Sequence, residues 1–384
     1  MNDFLVKYLN NIIDVPFTLK SNNKETKIGN GKSEFTVALN GEISKKELLL
    51  STSLALGEAY MDKKLELNRS LYEVLDLFIG NMDKFISDRK SLKKLIFTSL
   101  SRKNQKEEVS SHYDIGNDFY KLWLDDSMSY SCGYFQSEND TLYQAQINKV
   151  NHILDKLCIE KGMSLLDIGC GWGFLLRQAA KRGIKGYGIT LSMEQYNKFK
   201  ADIKNEGLEN VIDVEIMDYR DLKKLNISFD RVVSVGMIEH VGRGNYEEFI
   251  ECANSVIKPG GLFLLHYISA LKEYPGDPWI KKYIFPGGVI PSLREIIDII
   301  SEYGFYTIDV ESLRRHYNKT LLKWRDNFNK QKDKVIDMKG EKFYRMWDLY
   351  LSSCAAVFNR GVTDIHQLLM SKGVNNSLPM NRIV

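Results

Sequence analysis

Three glycines at alternate positions follow a short apolar run and give the clearest sign of ligand chemistry in the chain. The apolar segment 165–168 (LLDI) leads into 169–173 (GCGWG), and a helical pattern begins at Phe174. A strand, a glycine-rich turn and a helix start bring a backbone close to a nucleotide-like ligand. Glycine accepts the unusual φ of such a turn and leaves the space that a ligand needs. Since an ordinary strand–turn–helix corner has the same pattern, the flanking sequence must decide between the two interpretations.

Strands and helices alternate along the chain around this turn. Apolar runs predict five strands, with helices between them, at 164–169, 186–190, 211–217, 229–236 and 261–269. The alternation predicts an α/β fold with a doubly wound, Rossmann-like parallel sheet and right-handed crossovers. Two later runs, 305–314 and 364–370, are candidates for an antiparallel pair that closes the sheet. The Ser-x-x-Glu capping box that begins at Ser292 predicts a further helix.

Small and polar residues lie at the ends of the first four predicted strands, at the edge of the sheet where ligands bind. They are Gly169, Gly171, Gly173, Thr190, Ser192, Gln195, Asp218, Tyr219, Arg220, Glu239 and His240, and the fifth strand itself carries His266 and Ile268. Structural roles are the alternative for three of them. Gln195 is also compatible with a cap for its own helix, His240 is expected to brace its turn, and His266 is by default a satisfied core histidine.

Several other classes of protein are disfavoured. The second predicted strand ends in Gly188-Ile189-Thr190, without the acidic residue that a nicotinamide dehydrogenase would usually place there, and the turn lacks the residues of a P-loop. The net charge of +3 is too small to argue for a nucleic-acid partner. The five cysteines are scattered, which favours a reducing cytoplasm, and no metal-ligand spacing is present, so no metal is expected. No apolar run approaches the ~20 residues that span a bilayer, and the N-terminus does not read as a signal peptide.

The length of 384 residues allows two domains. We expect residues 1–87 to form a small α+β domain with a strand at 35–41 and a helix over 48–60. Without a cluster of reactive groups, this domain is most simply interpreted as a folding or dimerising module. Residues 88–110 are basic and amphipathic, which suits either a helix on an anionic membrane surface or a solvated linker helix. The remainder, 111–384, contains the predicted sheet and is expected to be the catalytic domain.

In combination these features resemble the cyclopropane-fatty-acyl-phospholipid synthases. The similarity runs from about residue 30 to the end of the chain, and the segments that carry it are 56–62, 112–120, 128–135, 167–173, 189–192, 218–221, 234–242 and 283–288. The resemblance implies a Rossmann-like methyltransferase fold and S-adenosylmethionine as the methyl donor. It also implies the cis double bond of a phospholipid acyl chain as the acceptor, and an N-terminal domain that binds lipid or mediates dimerisation.

The resemblance further implies roles for individual residues. The donor is expected to contact Tyr130, Ser131, Gly169, Gly171, Thr190, Gln195, Tyr219 and Arg220. A bicarbonate ion is expected to be held by a catalytic set that consists of Cys132, Glu239, His266, Ile268 and Tyr317. Spacing alone does not reveal Cys132 and Tyr317. We expect the catalytic set to close around the small anion, near the sulfonium carbon of the donor and inside an apolar tunnel.

The implied reaction transfers a methylene group to unsaturated phospholipid chains and forms cyclopropane fatty acids. An alkene is a poor nucleophile, so the donor methyl must be held in a near-attack geometry, and bicarbonate would then take a proton from the new methyl. An ionised Glu239 would repel this anion, so we expect a shared proton or an intervening donor, for which His266 is the natural candidate.

The implied partners are membrane phospholipid and a second copy of the chain, and the implied location is the cytoplasm, with peripheral association at the inner face of the membrane. Two alternatives remain open at this point. One is a related methyltransferase that acts on another lipid or a small molecule, because a fold does not fix the acceptor. The other is a non-catalytic membrane-binding protein that uses the basic segment 88–110 and no donor.

Overall fold

The computed structural model describes residues 2–12, 15–21, 24–81 and 115–382. The strands are β1 Phe17–Ser21, β2 Lys24–Ile28, β3 Thr36–Leu39, β4 Leu65–Leu67, β5 Ser164–Ile168, β6 Lys185–Thr190, β7 Ile212–Ile216, β8 Phe229–Val235, β9 Ile257–Ala270, β10 Phe305–Ser312 and β11 Thr363–Lys372. The α-helices are α1 Asn2–Ile12, α2 Lys45–Leu50, α3 Thr52–Met61, α4 Leu71–Gly80, α5 Asn117–Tyr120, α6 Leu142–Lys156, α7 Phe174–Lys181, α8 Met193–Asn205, α9 Tyr246–Ser255, α10 Pro278–Tyr283, α11 Leu293–Glu302, α12 Arg314–Lys330, α13 Lys332–Lys339 and α14 Glu341–Asn359. None of these helices is long and apolar enough to cross a membrane.

The chain divides into two compact units. Unit 1 consists of Met1–Leu95, Pro275–Pro286 and Leu321–Val362, and unit 2 consists of Ile96–Tyr274, Gly287–Thr320 and Thr363–Val384. This grouping differs from the predicted division into 1–87, 88–110 and 111–384, because two segments of the predicted catalytic domain group with the N-terminal elements. The basic segment 88–110 lies outside the described residues.

Unit 2 is built on a seven-stranded sheet with the order β10-β11-β9-β8-β5-β6-β7. Strands β5 to β9 pair parallel with one another, and β11 pairs antiparallel with both β9 and β10. The predicted fold class, the five predicted strands and the antiparallel closing pair are therefore confirmed. Because β5 lies between β6 and β8, the loops that follow these strands open at the switch in strand order, where ligands bind in such sheets.

Apolar side chains cover both faces of this sheet. Leu165 belongs to a buried cluster with Leu176 and Phe199 of α7 and α8, whereas its neighbour Leu166 belongs to a cluster with Phe249 of α9. Successive strand residues point to opposite faces, so this alternation fixes β5 between two layers of helices. The end of β5, and the glycine turn after it, are thereby held in place from both sides.

Unit 1 contains a small sheet with the order β2-β1-β3-β4, in which β1 pairs antiparallel with β2 and parallel with β3. The strand predicted at 35–41 is confirmed as β3. The single helix predicted over 48–60 is wrong, because the segment forms the two helices α2 and α3. Ser51 separates them: its hydroxyl accepts a hydrogen bond from the Leu54 amide at 3.3 Å and caps the second helix.

Specific contacts bring the later segments into unit 1. The Arg345 guanidinium on α14 donates to the carbonyl oxygens of Tyr60 at 2.6 Å and Leu65 at 3.1 Å. The indole of Trp279 on α10 lies so close to Gly57 on α3 that an added Cβ would be 2.5 Å from the ring. These long-range contacts are the physical reason why residues 275–286 and 321–362 group with the N-terminal elements.

Candidate active site

The turn after β5 adopts a backbone that glycine accepts most readily. The φ angles of Gly169, Gly171 and Gly173 are +88°, +56° and +78°. A Cβ added to Gly173 would run into the ring of Phe199. At Gly171, by contrast, the nearest atom would be Nε2 of Gln195 at 4.0 Å, so this position is open. Packing therefore requires glycine at 173, while glycine at 171 keeps space free for a ligand.

A cavity opens at this turn, and the structure brings all eight residues predicted to contact the donor to its walls. They are Tyr130, Ser131, Gly169, Gly171, Thr190, Gln195, Tyr219 and Arg220. The same walls include His240, which is expected from the sequence to brace its turn. Burial lowers the pKa of His240 to about 4, which keeps its imidazole neutral near neutral pH.

The polar groups after β6 and β7 are held in fixed orientations. The Thr190 hydroxyl donates to Oε1 of Gln195 at 2.9 Å, so the Gln195 side chain reaches the cavity instead of serving its helix alone. The Arg220 guanidinium donates from Nε and Nη2 to the two carboxylate oxygens of Asp218 at 2.8 and 3.0 Å. Among the described residues, the buried Tyr219 hydroxyl has no hydrogen-bond partner, which leaves it available to a ligand.

Two charged residues of the cavity, Lys149 and Asp167, were not singled out from sequence. Lys149 Nζ donates to Oγ of Ser131 at 2.9 Å, and both Lys149 and Asp167 are buried. Burial lowers the pKa of Lys149 to about 8 and raises that of Asp167 to about 7, the latter against the opposing attraction of Lys149. Oδ1 of Asp167 accepts no hydrogen bond from the described residues.

The sequence contains little that marks the buried lysine. Lys149 falls on α6 seven residues after the buried Leu142, so the two share a helical face. The same helix also buries Gln146, His152 and Lys156, so its buried positions are mixed and helical periodicity does not set Lys149 apart. A buried lysine must find a partner or change its pKa, which only the folded structure reveals.

Within the predicted catalytic set, Glu239 and Ile268 are in direct contact. Glu239 lies in a 3-10 helix after β8, and its Oε1 accepts a hydrogen bond from the Ile268 amide of β9 at 2.7 Å. Its Oε2 is buried and has no partner among the described residues. Burial raises the pKa of Glu239 to about 7, partly offset by the Ile268 amide. This carboxyl group therefore binds a proton far more readily than an exposed glutamate does. Protonation removes the negative charge that would repel a neighbouring anion.

Backbone contacts connect Cys132 and Tyr317, two further members of the catalytic set, to the strand position of Ile268. Ile365 of β11 lies opposite Ile268, and its carbonyl accepts from the amide of Leu313 at 2.8 Å. The Leu313 carbonyl in turn accepts from the Tyr317 amide at 3.0 Å and lies 3.9 Å from Sγ of Cys132. Cys132 is fully buried, and burial raises the pKa of its thiol, so it stays protonated.

His266 is the remaining member, and it lies two residues before Ile268 on the same face of β9. Its ring is fully buried and its pKa is lowered by burial to about 3. The five catalytic candidates are absent from the residues that line the donor cavity. Lys149 connects the two regions, because it lines the cavity and interacts electrostatically with both Cys132 and His266.

Comparison with known proteins identifies related families. A family model described as mycolic acid cyclopropane synthetase matches residues 100–368, and one for a domain of unknown function matches residues 4–90. A probable fatty acid methyltransferase of Pseudomonas putida is 41% identical over 325 residues, which cover 83% of this chain and 82% of that protein. The cyclopropane-fatty-acyl-phospholipid synthase of Escherichia coli (strain K12) is 36% identical over 365 residues, which cover 92% of each chain.

Solved structures give the same result for the fold. Cyclopropane synthase MmaA2 from Mycobacterium tuberculosis superposes with a TM-score of 0.66 at 33% identity, covering 70% of this chain and 98% of that one. Mycolic acid cyclopropane synthase CmaA1 complexed with SAH and CTAB superposes with a TM-score of 0.65 at 34% identity and the same coverage. The sheet, the glycine turn and these relatives define an S-adenosylmethionine-dependent methyltransferase.

Within that class, the chain belongs to the cyclopropane synthase family, which includes the cyclopropane-fatty-acyl-phospholipid synthases. The resemblance drawn from the sequence motifs is therefore confirmed.

Proposed function

We propose that this protein transfers a methylene group from S-adenosylmethionine to the cis double bond of unsaturated acyl chains in membrane phospholipids and forms cyclopropane fatty acids. One observation carries the proposal: all eight residues predicted to contact the donor line one cavity, and Lys149 in its wall interacts electrostatically with the buried, neutral His266 of the predicted catalytic set. The relative that matches over 92% of the chain has a name that specifies phospholipid as the substrate.

The cavity fits the proposed donor. When bound, S-adenosylmethionine supplies a methyl group activated by a sulfonium charge. Gly171 leaves room for close approach of a ligand, and the unpaired Tyr219 hydroxyl and Asp167 Oδ1 offer polar partners. We assign donor binding to Tyr130, Ser131, Gly169, Gly171, Thr190, Gln195, Tyr219 and Arg220. These residues hold and orient the donor, so that the encounter with a weak nucleophile takes place in one geometry.

The catalytic set fits a small anion such as bicarbonate. When bound, bicarbonate supplies a base for the proton that must leave the new methyl group as the ring closes. Glu239 Oε2 and His266 Nε2 are buried and have no partner among the described residues, so both are available to such an ion. A protonated Glu239 donates a hydrogen bond where an ionised one would repel. Cys132, Ile268 and Tyr317 complete the proposed site, and its burial excludes water from the cation formed in the acyl chain.

A phospholipid substrate bears on where the protein lies in the cell. We propose that the protein associates peripherally with the inner face of the membrane, where its substrate lies, and that it forms a homodimer. The basic composition of residues 88–110 supports attraction to an anionic surface. We also retain the proposed division into an N-terminal lipid-binding or dimerisation domain at 1–87, a basic linker and a catalytic domain at 111–384.

The test is an assay with vesicles of unsaturated phospholipid and a donor carrying a labelled methyl group. We expect labelled cyclopropane chains in the lipid fraction, and slower turnover after bicarbonate is depleted. Glu239→Gln and His266→Ala should suppress turnover while donor affinity, measured by calorimetry, stays within a few-fold. Activity on a soluble nucleophile with none on vesicles would identify a small-molecule methyltransferase and contradict the proposal. Loss of donor binding in either variant would contradict the separation into donor site and base site.

A further inference from the structure

The two ring nitrogens of His266 have different surroundings. Nδ1 lies 3.2 Å from the side-chain amide nitrogen of Gln367, whereas Nε2 is buried and without a partner among the described residues. Both side chains are fully buried. No solvent competes for the Nδ1 hydrogen bond, so this contact determines where the ring carries its proton.

Strand pairing fixes Gln367 in this position. Gln367 of β11 lies directly opposite His266 of β9, in a register that continues through the pairs Ile365–Ile268 and Leu368–Leu265. The amide nitrogen of glutamine only donates hydrogen bonds, so Nδ1 of His266 must accept. A neutral imidazole that accepts at Nδ1 carries its proton on Nε2.

The charges around the ring keep it neutral. The groups that act on His266 are Lys149, Lys156 and His152 of α6 and Glu311 of β10. Burial, together with the two lysines, lowers the pKa of His266 to about 3, and the attraction of Glu311 does not restore it. Near neutral pH the ring is therefore a single neutral species, whose tautomer is decided by its hydrogen bond to Gln367.

From this geometry we infer that Gln367 is a positioning residue: by donating to Nδ1 it fixes His266 as the tautomer that presents Nε2–H to the anion site. The inference rests on the proposed function for the identity of the anion. An N–H at Nε2 attracts an anion, whereas the other tautomer would present a lone pair and repel it. Gln367 thus makes His266 a hydrogen-bond donor without giving it a charge.

The test is the tautomer itself, read by long-range ¹H–¹⁵N spectra of histidine-labelled protein without donor or lipid. The His266 signals are assigned by their loss in His266→Asn. In the unaltered chain we expect a neutral ring protonated at Nε2. Gln367→Glu provides an acceptor in place of the donor when its carboxyl is ionised, so its spectra are recorded over a rising series of pH, in which the proton should move to Nδ1 as the carboxyl ionises. Turnover should then fall by about ten- to hundredfold, the value of one hydrogen bond to a charged group, with donor affinity almost unchanged.

Two further variants separate positioning from simple damage to the fold. Gln367→Met keeps the volume but has no donor, so we expect a mixture of the two tautomers and partial loss of turnover. Ser269→Ala removes the neighbouring cross-strand contact, in which Oγ lies 2.6 Å from Nδ1 of His366, and should leave the His266 tautomer unchanged. Thermal unfolding of each variant reports folding, and the spectrum of the unaltered protein does not depend on any variant.

A proton on Nδ1 in the unaltered protein would overturn the inference. So would an unchanged tautomer in a folded Gln367→Met variant. If the tautomers behave as expected but vesicles yield no cyclopropane chains, the positioning role stands and the proposed function fails.

Discussion

Glu239 is a carboxyl group in surroundings that disfavour its charge. One oxygen accepts a hydrogen bond from the Ile268 amide at 2.7 Å, the other is buried without a partner among the described residues, and the pKa rises to about 7. In the unfolded chain the same group has the ordinary pKa of a glutamate. Folding therefore requires this carboxyl to take up a proton at a pH where the unfolded chain does not.

This difference predicts a dependence of stability on pH. Between the unfolded pKa and about 7 the native state binds more protons at Glu239 than the unfolded state, so stability falls as the pH rises through this window and stays lower above it. Glu239→Gln keeps the acceptor for the Ile268 amide and removes the titration. We expect the free energy of unfolding of the variant, relative to the unaltered chain, to rise by about 1–3 kcal/mol across the window, as measured by urea denaturation. A constant difference would show that the carboxyl group titrates normally.

In the turn after β5, one glycine is required by packing and another leaves space for a ligand. Gly173 has a φ of +78° and packs against Phe199, while Gly171 has a φ of +56° and faces open space. A residue with a side chain would strain the backbone at either position. At Gly173 alone it would also clash with a neighbouring side chain.

Two alanine variants test this distinction. Gly173→Ala should lower the free energy of unfolding by about 2–5 kcal/mol, because left-handed strain adds to a clash with Phe199. Gly171→Ala should cost only about 1–2 kcal/mol from backbone strain, yet weaken donor binding, because its methyl group occupies the open space. Chemical denaturation and calorimetric titration with S-adenosylmethionine measure the two effects. Equal donor affinity in Gly171→Ala and the unaltered chain would contradict the role given to this position.

Most elements of unit 2 could be predicted from the sequence because their signals are local. Short apolar runs marked the strands around the turn, and the Ser292 capping box, which the structure confirms, marked the start of α11. The prediction missed the break between α2 and α3. The local signal for it is the polar segment 51–53 (STS), which interrupts the apolar run and supplies Ser51 as the cap of the second helix. Gln367 was missed because its importance depends on the strand register opposite His266, which no local pattern specifies.

At the scale of the whole molecule, unit 1 is assembled from distant parts of the chain. Arg345 is buried, donates to two backbone carbonyls and lies 4.0 Å over the ring of Tyr60. Asp348, one turn later on α14, pairs with Arg325 at 2.7 Å. Local sequence patterns do not show that a guanidinium on α14 donates to a carbonyl 285 positions earlier in the chain.

Removing one buried charge tests this assembly. Arg345→Met should lower the free energy of unfolding by about 1–3 kcal/mol, because two part-buried hydrogen bonds to carbonyls are lost together with the ion pair that Arg345 makes with Glu66 at 3.0 Å. Lys342→Met is the matched control on the same helix: its ion pair with Asp62 is exposed, so it should change stability by less than about 0.5 kcal/mol. Denaturant unfolding measures both variants. A small loss in Arg345→Met would mean that its contacts contribute little to unit 1.

A donor whose methyl group carries three deuterium atoms shows whether the protein transfers a methylene group with loss of one methyl proton. After reaction with unsaturated phospholipid vesicles, mass spectrometry of the released fatty acids counts the deuterium in the product. We expect cyclopropane chains that retain two of the three deuterium atoms, because the base bound at the Glu239 and His266 site removes the third as the ring closes. Methyl-branched chains that retain all three, or a labelled soluble product with unlabelled lipid, would contradict it.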